Sequence, residues 1–113
     1  MPSILRAVYE GTDLATSSAS IYAPPAATRA TVTKATVINH AVASATFSVW
    51  ILPSGVGATA DRYLLVQDRA IQPGQTYDVA ELRSHTLEPG DAIWAVASDA
   101  NRLAIRISAQ VVT

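Results

Sequence analysis

Apolar residues in this chain recur with a period of two and almost nowhere with the spacing a helix needs. The C-terminal stretch shows it most cleanly: Leu103, Ile105, Ile107, Ala109 and Val111 alternate with Arg102, Ala104, Arg106, Ser108 and Gln110. Successive side chains of a strand point to opposite faces, so the pattern predicts a strand with one apolar face and one that carries two arginines. Ala30-Thr31-Val32-Thr33-Lys34-Ala35-Thr36-Val37-Ile38 is dense in β-branched residues, which suit a pleated, half-buried surface. Phe47-Ser48-Val49-Trp50-Ile51-Leu52 predicts another strand, ended by Pro53-Ser54-Gly55. Phe47, Val49 and Ile51 make one face of it, Trp50 and Leu52 the other. Asp91 to Ser98 reads the same way, with Trp94 and Val96 opposite Ile93, Ala95 and Ala97. Weaker strand signals lie at Ile4–Tyr9, Ser20–Ala23, Tyr63–Val66 and Thr76–Val79. Only Val79-Ala80-Glu81-Leu82-Arg83 suits a helical turn.

Turn residues separate these runs. Pro73-Gly74 and Pro89-Gly90 are Pro-Gly turns, in which proline presets φ and glycine accepts the positive φ that follows. They belong to a faint echo, since Ile71-Gln72-Pro73-Gly74-Gln75-Thr76-Tyr77 matches Leu87-Glu88-Pro89-Gly90-Asp91-Ala92-Ile93 in pattern. Two copies predict two similar turns, not a solenoid, which needs more repeats. Asn39 to Ser44 reads as the loop of a hairpin, Ser54 to Asp61 as a mobile exposed loop, and Asp99-Ala100-Asn101 as the turn of a last hairpin. Seven to eight strands with short connections and no crossover helices imply antiparallel pairing. The expected fold is an all-β antiparallel sandwich of jelly-roll type over residues 18–113, with 1–17 as an extended N-terminal arm; a small barrel is the alternative.

A chain of 113 residues fits one domain, and half of it is hydrophobic with only 15% charged, which excludes disorder for its bulk. Net charge is −1, and the eight basic residues never form a run, so no nucleic-acid partner is expected. Seven of the eight are arginine, which suits planar contacts with carboxylates at interfaces, although base composition of the genome would bias the chain the same way. Without cysteine there is no disulfide, thiolate metal site or cysteine nucleophile. Met1 to Arg6 lacks the basic and apolar regions of a signal peptide, and no apolar run approaches the roughly 20 residues of a membrane helix. A soluble protein made in a cytoplasm, with no membrane partner, is expected.

Catalysis needs a nucleophile, an acid or base, or a metal. His40 and His85 belong to no metal-binding spacing, and no Gly-x-Ser-x-Gly elbow or phosphate loop occurs; Gly55-Val56-Gly57 has no helix after it. Glu81, Glu88, Asp91 and Asp99, with Asp61, Asp68 and Asp78, fall in or beside turns, where acids usually bond their own backbone. No enzyme, metal or cofactor is predicted. The aromatic residues Tyr9, Tyr22, Tyr63, Tyr77, Trp50 and Trp94 could line a sugar-binding or protein-binding face, because Trp and Tyr concentrate in interface hot spots. Trp50 and Trp94 point away from the better apolar faces of their strands, so they are either covered within the sandwich or presented to a partner. Trp50, Trp94, Arg102, Arg106 and Tyr22 are the candidate interface residues.

Ile21-Tyr22-Ala23-Pro24-Pro25-Ala26-Ala27-Thr28-Arg29-Ala30-Thr31-Val32, Phe47 to Gly55 and the two Pro-Gly segments together resemble the small β-sandwich virion proteins of tailed bacteriophages. The resemblance spans about residues 18 to 113 and is one of style, an alanine- and threonine-rich sandwich with paired Pro-Gly turns. It implies a head decoration, or cement, protein on the outer surface of the capsid, which self-associates as a dimer or trimer and binds across major capsid protein subunits. A tail or neck module is the alternative within that group. A carbohydrate- or ligand-binding sandwich that uses Trp50, Trp94 and the Tyr63 region is the alternative outside it. No family binding residue maps onto a position of this chain.

Overall fold

The alternating stretches become strands in a computed structural model that describes residues 3–56 and 60–112, with side chains from residue 13 onward except that of Asp61. The strands are β1 (Ser3–Asp13), β2 (Ala19–Tyr22), β3 (Arg29–Asn39), β4 (Ala45–Leu52), β5 (Leu64–Ile71), β6 (Thr76–Asp78), β7 (Thr86–Leu87), β8 (Ala92–Ala97) and β9 (Leu103–Val112). They form two antiparallel sheets. The first runs β1-β9-β3-β6, with β7 on β3 beyond β6, and the second runs β2-β8-β4-β5. Because β6 and β7 lie end to end along the same edge of β3, they act as one interrupted strand. Eight strand positions result, divided four and four, and the chain crosses between sheets at nearly every connection. That is the strand order of a jelly roll.

The core lies between the sheets and is built, on β4, β8 and β9, from the apolar faces that the alternation foretold. Leu103, Ile105 and Ile107 of β9 and Val32, Ala35 and Val37 of β3 face Phe47 and Val49 of β4 and Ile93, Ala95 and Ala97 of β8. Leu82 and Leu87 close the same cluster. Burying each of these larger side chains contributes roughly 1.5–3 kcal/mol.

Both Pro-Gly turns form as expected. The amide of Gln75 donates to Gln72 O and that of Asp91 to Glu88 O, both at 3.0 Å. Gly74 and Gly90 adopt φ of +75° and +90°. At Gly90 a side chain is excluded twice, by φ and because a Cβ would approach Ser54 Oγ to 2.5 Å. The segment Val79 to Arg83 holds a single 3-10 turn over Ala80–Leu82. Tyr63 closes another such turn, Asp61–Tyr63, so the expected strand Tyr63–Val66 starts one residue later and runs on to Ile71.

Two expected hairpins are corrected. β3 and β4 belong to different sheets, as do β8 and β9, so Asn39–Ser44 and Asp99–Asn101 carry the chain from one sheet to the other. Stacking two half-apolar strands face to face buries both apolar faces, which side-by-side pairing would leave to other partners. Asn39, wholly buried, organises the first crossing: its Nδ2 donates to Ala43 O and Ile71 O, and its Oδ1 accepts the Ala41 amide, each at 2.9 Å. Within the segment read as an arm, residues 3–13 are β1, hydrogen-bonded along β9 with two irregularities in register. Residues 57–59, the centre of the loop read as mobile, and the second glycine of Gly55-Val56-Gly57 lie outside the described residues.

Candidate site on the outer face of the second sheet

The outward positions of β4 are Thr46, Ser48 and Trp50, since Phe47 and Val49 point into the core. On β8 they are Trp94 and Val96. The register places Trp50 directly opposite Trp94 and Ser48 opposite Val96. Directly opposed residues of an antiparallel pair have Cβ atoms about 5 Å apart, so both indoles start from neighbouring points of one face. Both are half-buried. Ser20 of β2 flanks Trp94, and Leu64 of β5 flanks Trp50. Leu52, expected on the same face, is fully buried.

A β-bulge adjoins this pair. Phe47 pairs with Arg69 but Val49 pairs with Val66, so β5 carries one extra residue opposite Ser48. Asp68 takes up that residue with φ of +47°, a left-handed conformation that aspartate tolerates better than most residues. Its amide donates to Ser48 Oγ at 2.9 Å, and the Ser48 hydroxyl leans toward Asp68 Oδ1 at 3.4 Å. The result is a shallow depression lined by Thr46, Ser48, Asp68, Val96 and Ser98, two residues along from the indoles. Hydroxyls, one carboxylate and an aromatic platform thus share one face.

The fold resembles a viral one. A chain in the structure of infectious bursal disease virus, Gx strain, superposes with a TM-score of 0.56 at 12% identity, over 98% of this chain and 33% of that chain. This chain therefore spans about a third of that one, and the likeness is of fold. That virus infects animals, whereas the resemblance read from the sequence was to tailed phages. No protein-family model matches the chain, and no curated protein matches it.

Of the five candidate interface residues, the structure brings together only Trp50 and Trp94. Tyr22 sits opposite Ile93 on β2 and packs half-buried against the core. Arg102 lies in the β8–β9 crossing, where it donates to Ser44 O at 3.1 Å and pairs with Asp99 at 3.3 Å. Arg106 stands exposed on the outer face of the first sheet, opposite Thr36 and near Ile38. Tyr9 has a side chain outside the described residues. Sequence reasoning missed Asp68 and Ser48. Asp68 lies beyond the strand expected at Tyr63–Val66 and falls inside the longer β5.

Among the described residues no three or more potential metal ligands come together. His40 instead holds Asp13, with Nε2 at 2.6 Å from Oδ1. A further polar cluster is a clasp between the sheets. The Tyr77 hydroxyl of β6 lies 3.1 Å from each carboxylate oxygen of Glu81, while Arg69 of β5 lies over the Tyr77 ring at 4.7 Å. Burial, and then the hydrogen bond to Glu81, raise the Tyr77 phenol above its ordinary value of 10.0. Folding therefore favours the protonated phenol. Its contribution is whole below the unfolded value and is lost as pH rises through the folded one. Denaturant midpoints should fall above about pH 10, and Tyr77→Phe should fall less steeply there; equal slopes would refute the clasp.

Proposed function

We propose that this chain is a structural protein of a virus particle and, more specifically, a decoration protein of a tailed-phage head. The observation that carries the reading is the jelly-roll fold, which superposes on part of a chain of infectious bursal disease virus, a viral capsid protein. In this reading the domain sits on the outer surface of the capsid and binds across major capsid protein subunits, as a dimer or trimer. Repetition of the lattice raises effective concentration, so modest contacts by each copy suffice. The outer face of the first sheet supports such docking, with Thr36, Thr76 and Ala104 around exposed Ile38 and Arg106. Arg106 is the contact we assign, as a planar partner for capsid carboxylates. The Trp50 and Trp94 face points the opposite way.

Immunogold labelling of the source particles, with antibody to the purified domain, tests this. Dense labelling over heads is expected, together with loss of capsid binding in Arg106→Glu. Labelling confined to tails would move the protein to a tail or neck role, and none at all would overturn the virion reading.

A further inference from the structure

We infer that the outer face of the second sheet is a binding site for a neutral glycan, with Trp50 and Trp94 as its platform and Asp68 as its polar anchor. Three features converge there. The first is the pair of tryptophans, set directly opposite each other by strand register on one face and left partly exposed. An indole face carries negative electrostatic potential, which attracts the weakly positive C–H face of a pyranose ring. The second is a depression two residues further along both strands, about 7 Å away by strand rise. A saccharide stacked on the indoles would extend a neighbouring ring over it.

The third is the bulge. A regular β5 would place no extra residue opposite Ser48, and the left-handed Asp68 is a locally costly conformation of the kind that accumulates at binding sites. What the distortion achieves is to fix the exposed Asp68 carboxylate on the outer face, held by the buried Ser48 hydroxyl 3.4 Å away. A carboxylate next to hydroxyls accepts bonds from a sugar diol, and Thr46 and Ser98 add further hydroxyls on the rim. Apolar walls with a few convergent polar groups are the usual composition of a ligand site.

Charge decides the class of glycan. The depression is lined by one carboxylate and no cation. Arg69, which follows Asp68, is turned instead onto the Tyr77 ring and lies 3.8 Å from Glu81. A sialylated or sulfated sugar would meet Asp68 with repulsion and find no counter-charge in the lining, whereas a neutral hexose chain meets only donors and acceptors. The site does not depend on the virion reading, because it is a property of the isolated domain.

The test is titration of the purified full chain with cellohexaose, maltohexaose, laminarihexaose and mannohexaose, followed by tryptophan fluorescence and calorimetry. At least one should bind saturably. Asp68→Asn keeps a residue that tolerates positive φ and removes the charge, and it should weaken binding about tenfold, the equivalent of about 1.4 kcal/mol. Trp94→Ala should weaken it further, and Trp94→Phe should restore part of the loss. Thermal melts that match the wild type would show that the fold is intact in each. Failure of all four sugars to bind overturns the inference, as does binding that Asp68→Asn and Trp94→Phe leave unchanged. A preference for sialylated or sulfated glycans overturns the class. Self-association that is lost in Trp94→Ala and that no sugar competes would assign the face to a second copy of the chain instead.

Discussion

Replacing Phe47 by alanine should destabilise the domain by about 4 kcal/mol, a large part of the 5–15 kcal/mol typical of small domains. Phe47 is the single phenylalanine of the chain and is 1% exposed between the two sheets. Its ring meets Tyr77 at 5.9 Å between centroids, tilted by 56°. Ala45, two residues before it on β4, and Ala97, directly opposite on β8, are too small to reach into the space a removed ring leaves, so much of the cavity stays open and both the transfer and cavity terms are lost. In thermal melts each kcal/mol corresponds to about 4 °C for a domain of this length, so a fall of roughly 15 °C is expected. Val42→Ala is the control, because Val42 is 97% exposed and should change stability by less than about 0.5 kcal/mol. A Phe47→Ala protein that melts within a few degrees of the wild type would mean that the ring is not the centre of the core.

Asn39→Ala should cost about 3 kcal/mol, nearly as much, although it removes no apolar surface. The side chain satisfies Ala43 O, Ile71 O and the Ala41 amide at once, in a position with no solvent access. Without it these backbone groups lose their partners at the corner where the chain leaves one sheet for the other. Each buried orphan costs about 1–3 kcal/mol. Asn39→Asp is the sharper variant. It keeps an acceptor for the Ala41 amide but brings a carboxylate against two carbonyl oxygens, so it should be at least as damaging as alanine at pH 7 and recover on acidification. Chemical denaturation read at two pH values distinguishes the cases. If alanine and aspartate are both tolerated within about 1 kcal/mol, the corner is held by its backbone bonds alone.

Asn39 also marks the boundary between what was legible and what was not. Period-two alternation determined, from sequence alone, where β4, β8 and β9 lie and which are their better apolar faces, and β-branched density placed β3. It did so because a strand's side-chain period is fixed by backbone geometry, and hydrophobic burial then selects one face. The Pro-Gly turns were equally local, since proline and glycine act through their own φ. Alternation, however, is identical whether two strands pair edge to edge or stack face to face. The Asn39–Ser44 and Asp99–Asn101 segments therefore read as hairpins, and only the meeting of two complete apolar faces made them crossings. The segment read as an arm is a similar case, for β1 takes its partner from β9, nearly a hundred positions away. The candidate site depended on tertiary structure most of all. Trp50 and Trp94 were visible as outward residues, but their pairing is a matter of register between distant strands. The bulge that brings Asp68 to Ser48 arises from a one-residue mismatch between β4 and β5, which neither strand reveals by itself.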